Sequence, residues 1–188
     1  MSWSLRVEYA SAGTCAAGYF GGGNGVTGCN GCGELRTSVS GNVPSEGCMC
    51  SPGNYPYGNG AECQNCPVGT FKSGMGQHGC TNCGAGTYWG GSGVHSCAQC
   101  RANTYSTTVK ATSSSACIAC PSNTASTLGS NVITRCSCIA GYTATAVGRA
   151  CTACGVGTYK SLAGISECIP CPVGNYTDTV GSLSCKPC

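Results

Sequence analysis

The stretch Cys63-Gln-Asn-Cys66-Pro-Val-Gly-Thr-Phe71 decides the fold of this chain, because it recurs as Cys151-Thr-Ala-Cys154-Gly-Val-Gly-Thr-Tyr159. The two copies are 88 positions apart, and ten cysteines follow this offset. Such self-similarity is typical of repeat proteins, in which each unit contacts mainly its neighbours. The first set is Cys29, Cys32, Cys48, Cys50, Cys63, Cys66, Cys80, Cys83, Cys97 and Cys100, and the second is Cys117, Cys120, Cys136, Cys138, Cys151, Cys154, Cys168, Cys171, Cys185 and Cys188. Cys15 lies outside both sets.

A shorter period lies within each 88-residue block. Cys-x-x-Cys pairs follow one another after steps of 14 residues, as from Cys66 to Cys80, so the basic module has about 17 residues. We count a module from the second cysteine of a pair, and we call the third residue after that cysteine the turn position. The turn position is glycine or asparagine in every module except one, which has Leu35. Since both residues tolerate a positive φ, the pattern predicts a tight left-handed turn after each pair.

The fifth residue after the same cysteine is aromatic in most modules. These residues are Phe20, Tyr55, Phe71, Tyr88, Tyr105, Tyr159 and Tyr176. A ring at a constant offset from a disulfide most simply covers that disulfide and forms the small core of its module. A row of rings that stacks on carbohydrate is the functional alternative.

The amino-acid composition indicates how the fold is stabilised. The chain is 41% hydrophobic including 21 cysteines, but only 7% aromatic, so few large side chains are left for a single core. Cross-links must therefore replace apolar burial. Helical spacing of apolar residues is absent. We expect small disulfide-rich repeats that form an elongated rod or solenoid of short β-strands, turns and coil, with little or no helix. The expected divisions are an N-terminal strand or linker over 1–14 and two arrays of modules over 15–116 and 117–188.

Cysteine content and charge limit the environment and the partners. Cysteines at this density persist as disulfides only in an oxidising compartment, which predicts an extracellular or cell-surface location. A net charge of +3 with 8% charged residues forms no basic stripe, so a nucleic-acid partner is not expected. Neither a membrane-spanning run nor a secretion signal is visible, which suggests a mature form or a fragment.

Two disulfide schemes are open from the sequence. In the consecutive scheme, the second cysteine of each pair bonds the first of the next. In the interleaved scheme, the first bonds the third and the second bonds the fourth, so that Cys29 needs a partner where the chain has Ala12. The consecutive scheme leaves only Cys188 unpaired. Its ten rings are Cys15–Cys29, Cys32–Cys48, Cys50–Cys63, Cys66–Cys80, Cys83–Cys97, Cys100–Cys117, Cys120–Cys136, Cys138–Cys151, Cys154–Cys168 and Cys171–Cys185.

Zinc binding is the alternative use of this spacing, since two Cys-x-x-Cys pairs also form zinc ribbons. The two possible mixed ligands, His78 and His95, do not recur: the equivalent residues are Ser166 and Leu183. We therefore favour disulfides and expect no metal or other cofactor.

The quoted stretch, its counterpart and Cys168-Ile-Pro-Cys171-Pro-Val-Gly-Asn-Tyr176 resemble the ephrin-receptor-like cysteine-rich repeat, which carries Cys-x-x-Cys-Pro-x-Gly-Thr-Tyr. The repeat is related in style to the cysteine-rich modules of growth-factor and tumour-necrosis-factor receptors. The resemblance covers about residues 15–188 and implies rod-like disulfide-bonded modules without enzymatic activity. Departures from the motif are Gly84, Arg101 and Gly155 where proline is usual, and the Cys-x-Cys variants at Cys48 and Cys136.

Residues for catalysis do not form a recognisable arrangement. The six acidic residues are scattered singly, and no Ser-His-acid or Cys-His arrangement lies in a signature context, so we expect no enzyme. Asn175-Tyr176-Thr177 is a full N-glycosylation sequon, for which a chance match is the alternative.

The regular repeat favours a structural role. We expect an extracellular protein that builds a filament, appendage or surface coat; the alternative is a ligand-binding or spacer segment of a receptor or adhesion ectodomain. Trp3, Leu5, Val7 and Tyr9 alternate with polar residues and predict a half-buried strand. An exposed strand edge tends to find a partner, so these four residues are candidates for head-to-tail assembly with copies of the chain. Flanking domains and glycans are the other expected partners, and no membrane insertion is expected.

Overall fold

The computed structural model describes residues 17–20, 30–38, 48–58 and 62–188. The chain divides into two compact units, Met1–Asn82 with Gly91–Cys97, and Cys83–Gly90 with Ala98–Cys188. The division into arrays at 15–116 and 117–188 follows the sequence period and stays a prediction.

Each module in the described residues forms an antiparallel β-hairpin. Its first strand begins near the fourth residue after the second cysteine, and its second strand lies around the next cysteine pair. The hairpins are β1 (Tyr19–Phe20) with β2 (Asn30–Gly31), β3 (Arg36–Thr37) with β4 (Met49–Cys50), β5 (Asn54–Tyr57) with β6 (Glu62–Asn65), β7 (Thr70–Phe71) with β8 (Thr81–Asn82), β9 (Thr87–Tyr88) with β10 (Ala98–Gln99), β11 (Thr104–Tyr105) with β12 (Ile118–Ala119), β13 (Thr124–Ala125) with β14 (Ser137–Cys138), β15 (Tyr142–Thr143) with β16 (Thr152–Ala153), β17 (Thr158–Tyr159) with β18 (Ile169–Pro170), and β19 (Asn175–Tyr176) with β20 (Lys186–Pro187). The predicted fold class of small disulfide-rich repeats with short strands is confirmed.

Helical structure in these residues is limited to two 3₁₀ turns, Ser114–Ala116 and Ile133–Arg135. Both precede a cysteine and lie in longer rings, whose cysteines are 17 and 16 residues apart, against 14 for Cys66 and Cys80. The extra residues of the long rings therefore fold as one short turn. Among the residues that the structure describes, there is no helix with the length and apolarity to cross a membrane.

The disulfides hold hairpins that are too short to be stable alone. Eight disulfides in the described residues follow the consecutive scheme, with Cα atoms 5.5–5.8 Å apart. They are Cys32–Cys48, Cys50–Cys63, Cys66–Cys80, Cys100–Cys117, Cys120–Cys136, Cys138–Cys151, Cys154–Cys168 and Cys171–Cys185. Cys83 and Cys97 are also disulfide-bonded, whereas Cys15 and Cys29 lie outside the described residues.

The core of each unit consists mainly of these cystines. In the described part of the chain, the buried apolar side chains are ten cysteines, Val94 and Ala111. Disulfide sulfur therefore takes the place that leucine and phenylalanine hold in larger domains, as the low aromatic content predicts.

The predicted left-handed turn is present. Glycines at the turn position have φ between 74° and 87°, and Asn103 and Asn123 have φ of 66° and 60°. Leu35, the exception in residue type, has the same backbone conformation, with a φ of 60°. A residue with a Cβ loses about 1–2 kcal/mol in this conformation. The shape of the turn is thus common to all these modules even where the residue is unfavourable.

Candidate functional site

At six boundaries in the described residues, neighbouring modules of a unit are joined by the same hydrogen bond. We call the sixth residue after the second cysteine of a pair the acceptor position. The N–H at the turn position of one module donates to the carbonyl at the acceptor position of the next module. The bonds are Gly18 to Ser38 (3.2 Å), Gly53 to Lys72 (2.8 Å), Gly86 to Ser106 (2.7 Å), Asn103 to Ser126 (3.0 Å), Gly141 to Lys160 (2.8 Å) and Gly157 to Thr177 (3.1 Å). All six acceptor residues are polar and buried, with exposed fractions of 0–9%. The acceptor position is therefore where successive modules lock together.

Three turn glycines also permit a closer contact, with the second module along the chain. A Cβ atom built on Gly53, Gly86 or Gly141 would lie 2.3 Å from a carbonyl oxygen, that of Gly93, Gly129 or Gly181 respectively. Real Cβ atoms do not approach oxygen so closely, so these three positions require glycine for space as well as for φ. No heavy atom lies within 4 Å of the corresponding point on Gly157.

The glycines of the second module also form hydrogen bonds with the module in between. The N–H of Gly181 donates to the carbonyl of Cys154 at 2.8 Å, and the N–H of Gly93 donates to that of Cys66 at 3.0 Å. Three consecutive modules are therefore tied together at each of these contacts.

Lys72 occupies an acceptor position and is buried, with only 2% of its surface exposed. Its Nζ donates to the carbonyl oxygens of Gly76 (2.6 Å), Asn54 (2.7 Å) and Cys50 (3.3 Å). Cys50 and Asn54 belong to the preceding module and Gly76 to the module of Lys72. The ammonium group thus cross-links two modules through backbone oxygens.

Lys160 repeats this arrangement 88 residues later. It is 2% exposed, and its Nζ donates to the carbonyl of Tyr142 at 2.6 Å and to that of Gly164. Burial lowers the pKa of both Lys72 and Lys160, because an ammonium group loses hydration there. In the described residues the ion pair is Lys186 with Asp178, at 3.2 Å. The groups that stabilise the two buried lysines are therefore carbonyl dipoles.

Sequence reasoning missed these two lysines as buried groups. An isolated lysine normally indicates an exposed surface, so the residue type gave no sign of burial. A usable signal was present: serine or threonine holds the other acceptor positions given above, so lysine at the same place was unusual.

The sequence-predicted site residues have different outcomes. Trp3, Leu5, Val7 and Tyr9, the assembly candidates, lie outside the described residues. Cys188 has a free, exposed thiol, and its N–H donates to the carbonyl of Gly174 at 3.0 Å. Its backbone therefore closes the last hairpin in the same way as the second cysteine of other pairs.

Asn175 of the sequon is half-buried at the start of β19. Thr177 holds an acceptor position and is only 6% exposed. Its hydroxyl accepts a hydrogen bond of 2.8 Å from the N–H of Gly157. Thr177 thus has a structural contact that does not depend on a glycan.

The aromatic rings at the fifth position are half-buried for Tyr55, Phe71, Tyr88, Tyr105 and Tyr159. Tyr176 is 43% exposed. A row of equivalent, freely exposed rings is therefore absent from the described modules.

Cysteines that are joined in disulfides have no thiolate with which to bind a metal ion. Among the residues described, no three or more histidine, cysteine, aspartate or glutamate side chains are grouped so that they could hold a metal ion. His78 and His95 are accordingly not brought together with cysteine ligands.

Two segments of the chain, residues 53–93 and 141–188, match the family model described as tyrosine-protein kinase ephrin type A/B receptor-like. Their first residues are 88 positions apart, so the two matches start at equivalent points of the repeat. These segments are ephrin-receptor-like cysteine-rich repeats, as the motif predicts. Residues 94–140 lie between them.

Similar proteins include Ephrin type-B receptor 2 of Coturnix japonica and of Gallus gallus. Each is 45% identical over 51 residues, which is 27% of this chain. The matched part is 5% of the Coturnix protein and 4% of the Gallus protein. The likeness therefore concerns a cysteine-rich repeat and not the whole receptor.

Proposed function

We propose that this chain is a spacer segment of an extracellular receptor or adhesion ectodomain, whose disulfide-bonded modules hold flanking domains at a fixed separation. The similarity to receptors favours this role over the filament or surface coat that was the first expectation from the sequence.

The observation that carries the proposal is the repeated bond from turn position to acceptor position. Bending at a boundary such as that between Gly141 and Lys160 would break a buried hydrogen bond of 2.8 Å. It would also separate the lysine ammonium group from the carbonyl of Tyr142. An unmatched buried polar group costs about 1–3 kcal/mol, so each boundary that has this bond resists bending.

An extracellular location is part of the proposal. Disulfides such as Cys66–Cys80 and Cys154–Cys168 form the buried core, and they would be reduced in a cytosolic environment. We propose no catalytic role for the chain. Head-to-tail assembly through residues 1–10 stays a prediction.

The test uses the secreted, oxidised 188-residue chain with Cys188→Ser, so that no intermolecular disulfide forms. Sedimentation velocity over a wide concentration range is expected to give a monomer. Small-angle scattering is expected to give one distribution of intramolecular distances, which broadens only after reduction. Filaments seen by electron microscopy in the same sample, and lost on deletion of residues 1–10, would overturn the spacer role in favour of a structural filament.

A further inference from the structure

The segment between the two family matches holds a ring that departs from the repeat. Cys100 and Cys117 are 17 residues apart, three more than the cysteines of the matched ring Cys154–Cys168. The three-residue 3₁₀ turn Ser114–Ala116 lies immediately before Cys117. This ring also begins with Arg101 where the motif has proline.

A hollow of about 280 Å³ opens beside this ring. Its lining residues are Tyr88, Arg101, Thr104, Ser114 and Cys117. Tyr88 is half-buried in β9, whereas Arg101 and Ser114 are exposed. The hollow therefore combines an aromatic side chain, a cation and hydroxyl groups that solvent can reach.

The backbone of Arg101 is held firmly. The hydroxyl of Thr104 donates to the carbonyl of Arg101 at 2.7 Å, and the N–H of Thr104 donates to the same oxygen at 3.2 Å. Thr70 makes the same hydroxyl contact to Pro67 in a family-matched module, also at 2.7 Å. Arg101 therefore has the same backbone contact as the proline of the motif. This contact holds the backbone from which the Arg101 side chain extends.

The charged residue among those that line the hollow is a cation, Arg101. The sequence has no aspartate or glutamate between Glu62 and Glu167, and in that interval Arg101, Lys110, Arg135 and Arg149 are all exposed. The salt bridge found in the described residues, Lys186–Asp178, does not involve Arg101. The Arg101 guanidinium is therefore available to an external anion.

We propose that this hollow binds one anionic sugar residue, sulfated or carboxylated, of an extracellular polysaccharide. The planar guanidinium of Arg101 would form paired hydrogen bonds with the sulfate or carboxylate. The Tyr88 ring offers an apolar surface to the sugar ring, and the Ser114 hydroxyl offers a hydrogen-bonding partner to a sugar hydroxyl. A volume near the lower end of ligand sites suits a single monosaccharide.

The experiment measures binding of three hexasaccharides to the full oxidised chain by calorimetry: a heparin-derived one, an unsulfated one that carries uronic acid, and neutral maltohexaose. The heparin fragment is expected to bind, and maltohexaose is not. Arg101→Ala should weaken binding about tenfold or more, as the loss of a charge-assisted pair requires. Ser114→Glu should do the same because it places a carboxylate beside Arg101.

Two matched controls separate this site from diffuse charge. Arg149→Ala removes an exposed arginine outside the hollow, and Ser161→Glu adds an exposed carboxylate outside it; both should change the affinity by less than about twofold if the anion is bound locally. Unchanged thermal unfolding and free-thiol count show that each variant is folded. Binding of the unsulfated fragment indicates that a carboxylate suffices, and binding of the heparin fragment alone indicates a sulfate site.

Equal weakening by Arg101→Ala and Arg149→Ala, equal binding of maltohexaose, or no binding of either anionic fragment would overturn the proposal. These outcomes leave the spacer role untouched, because that role is tested by oligomeric state and intramolecular distances.

Discussion

A Cβ atom on Gly141 would lie 2.3 Å from the carbonyl oxygen of Gly181, although these residues are 40 positions apart. Gly157 holds the same turn position one module later with a similar φ, 76° against 81°, and no atom lies within 4 Å of the equivalent point. The two glycines have the same backbone conformation but different surroundings. Substitutions at the two sites therefore distinguish the cost of a positive φ from the cost of a steric clash.

Gly141→Asn is therefore expected to lower stability by about 1–3 kcal/mol more than Gly157→Asn, because only the first substitution forces a side chain against backbone. Asparagine adopts a positive φ readily, as Asn103 and Asn123 do. Secreted yield and the thermal midpoint of both variants provide the measurement. Equal behaviour would show that the close contact with Gly181 does not matter.

Lys160→Met is expected to destabilise the chain by about 1–3 kcal/mol, because it leaves buried carbonyls without a donor. Lys110→Met, at an exposed lysine, is the control and should have a smaller effect. Amine labelling followed by mass spectrometry should modify Lys110 much faster than Lys72 and Lys160 in the folded protein. Labelling of all three at one rate would mean that the two acceptor-position lysines are not buried.

The pH dependence of stability follows from the lowered pKa of Lys72 and Lys160. Between the lowered folded pKa and the ordinary value of 10.5, the unfolded chain binds more protons than the folded chain, so stability from these groups rises with pH. Below the folded pKa this contribution is constant.

The comparison is between chains with and without Lys72→Met and Lys160→Met, both carrying Cys188→Ser to prevent thiol exchange. The difference in unfolding free energy should shift in favour of the lysine-containing chain as pH rises towards 10.5. A difference that is constant or shifts the other way argues against the lowered pKa.

Asn175 is expected to carry an N-glycan when the chain is secreted from eukaryotic cells. Asn175→Gln should remove the mass that a glycosidase releases, with little effect on the thermal midpoint. Thr177→Ala should remove the glycan and also lower the midpoint, since it deletes one of the two Thr177 oxygens that accept the Gly157 N–H. Absence of any mass shift in the unmodified chain would mean that the sequon is a chance match.

Local sequence patterns predicted the short strands and the turns. The interval between Cys66 and Cys80 defines a ring, and glycine or asparagine after the pair defines a turn with positive φ, as the structure has it. Leu35 is the exception: leucine disfavours a positive φ, yet the same turn is present at this residue.

What the sequence by itself determined is what lies within one module: the cysteine spacing, the short strands and the turn, all set by bonds and contacts between residues near in the chain. Only the tertiary structure decided which turn glycines are irreplaceable, that Lys72 and Lys160 are buried against carbonyls, and that Arg101 lines a hollow with Tyr88 and Ser114. The physical reason is that these features arise where separate modules meet. Contacts such as that of Gly141 with Gly181 depend on how hairpins stack, and the residues of one module do not specify by themselves which other module they will contact.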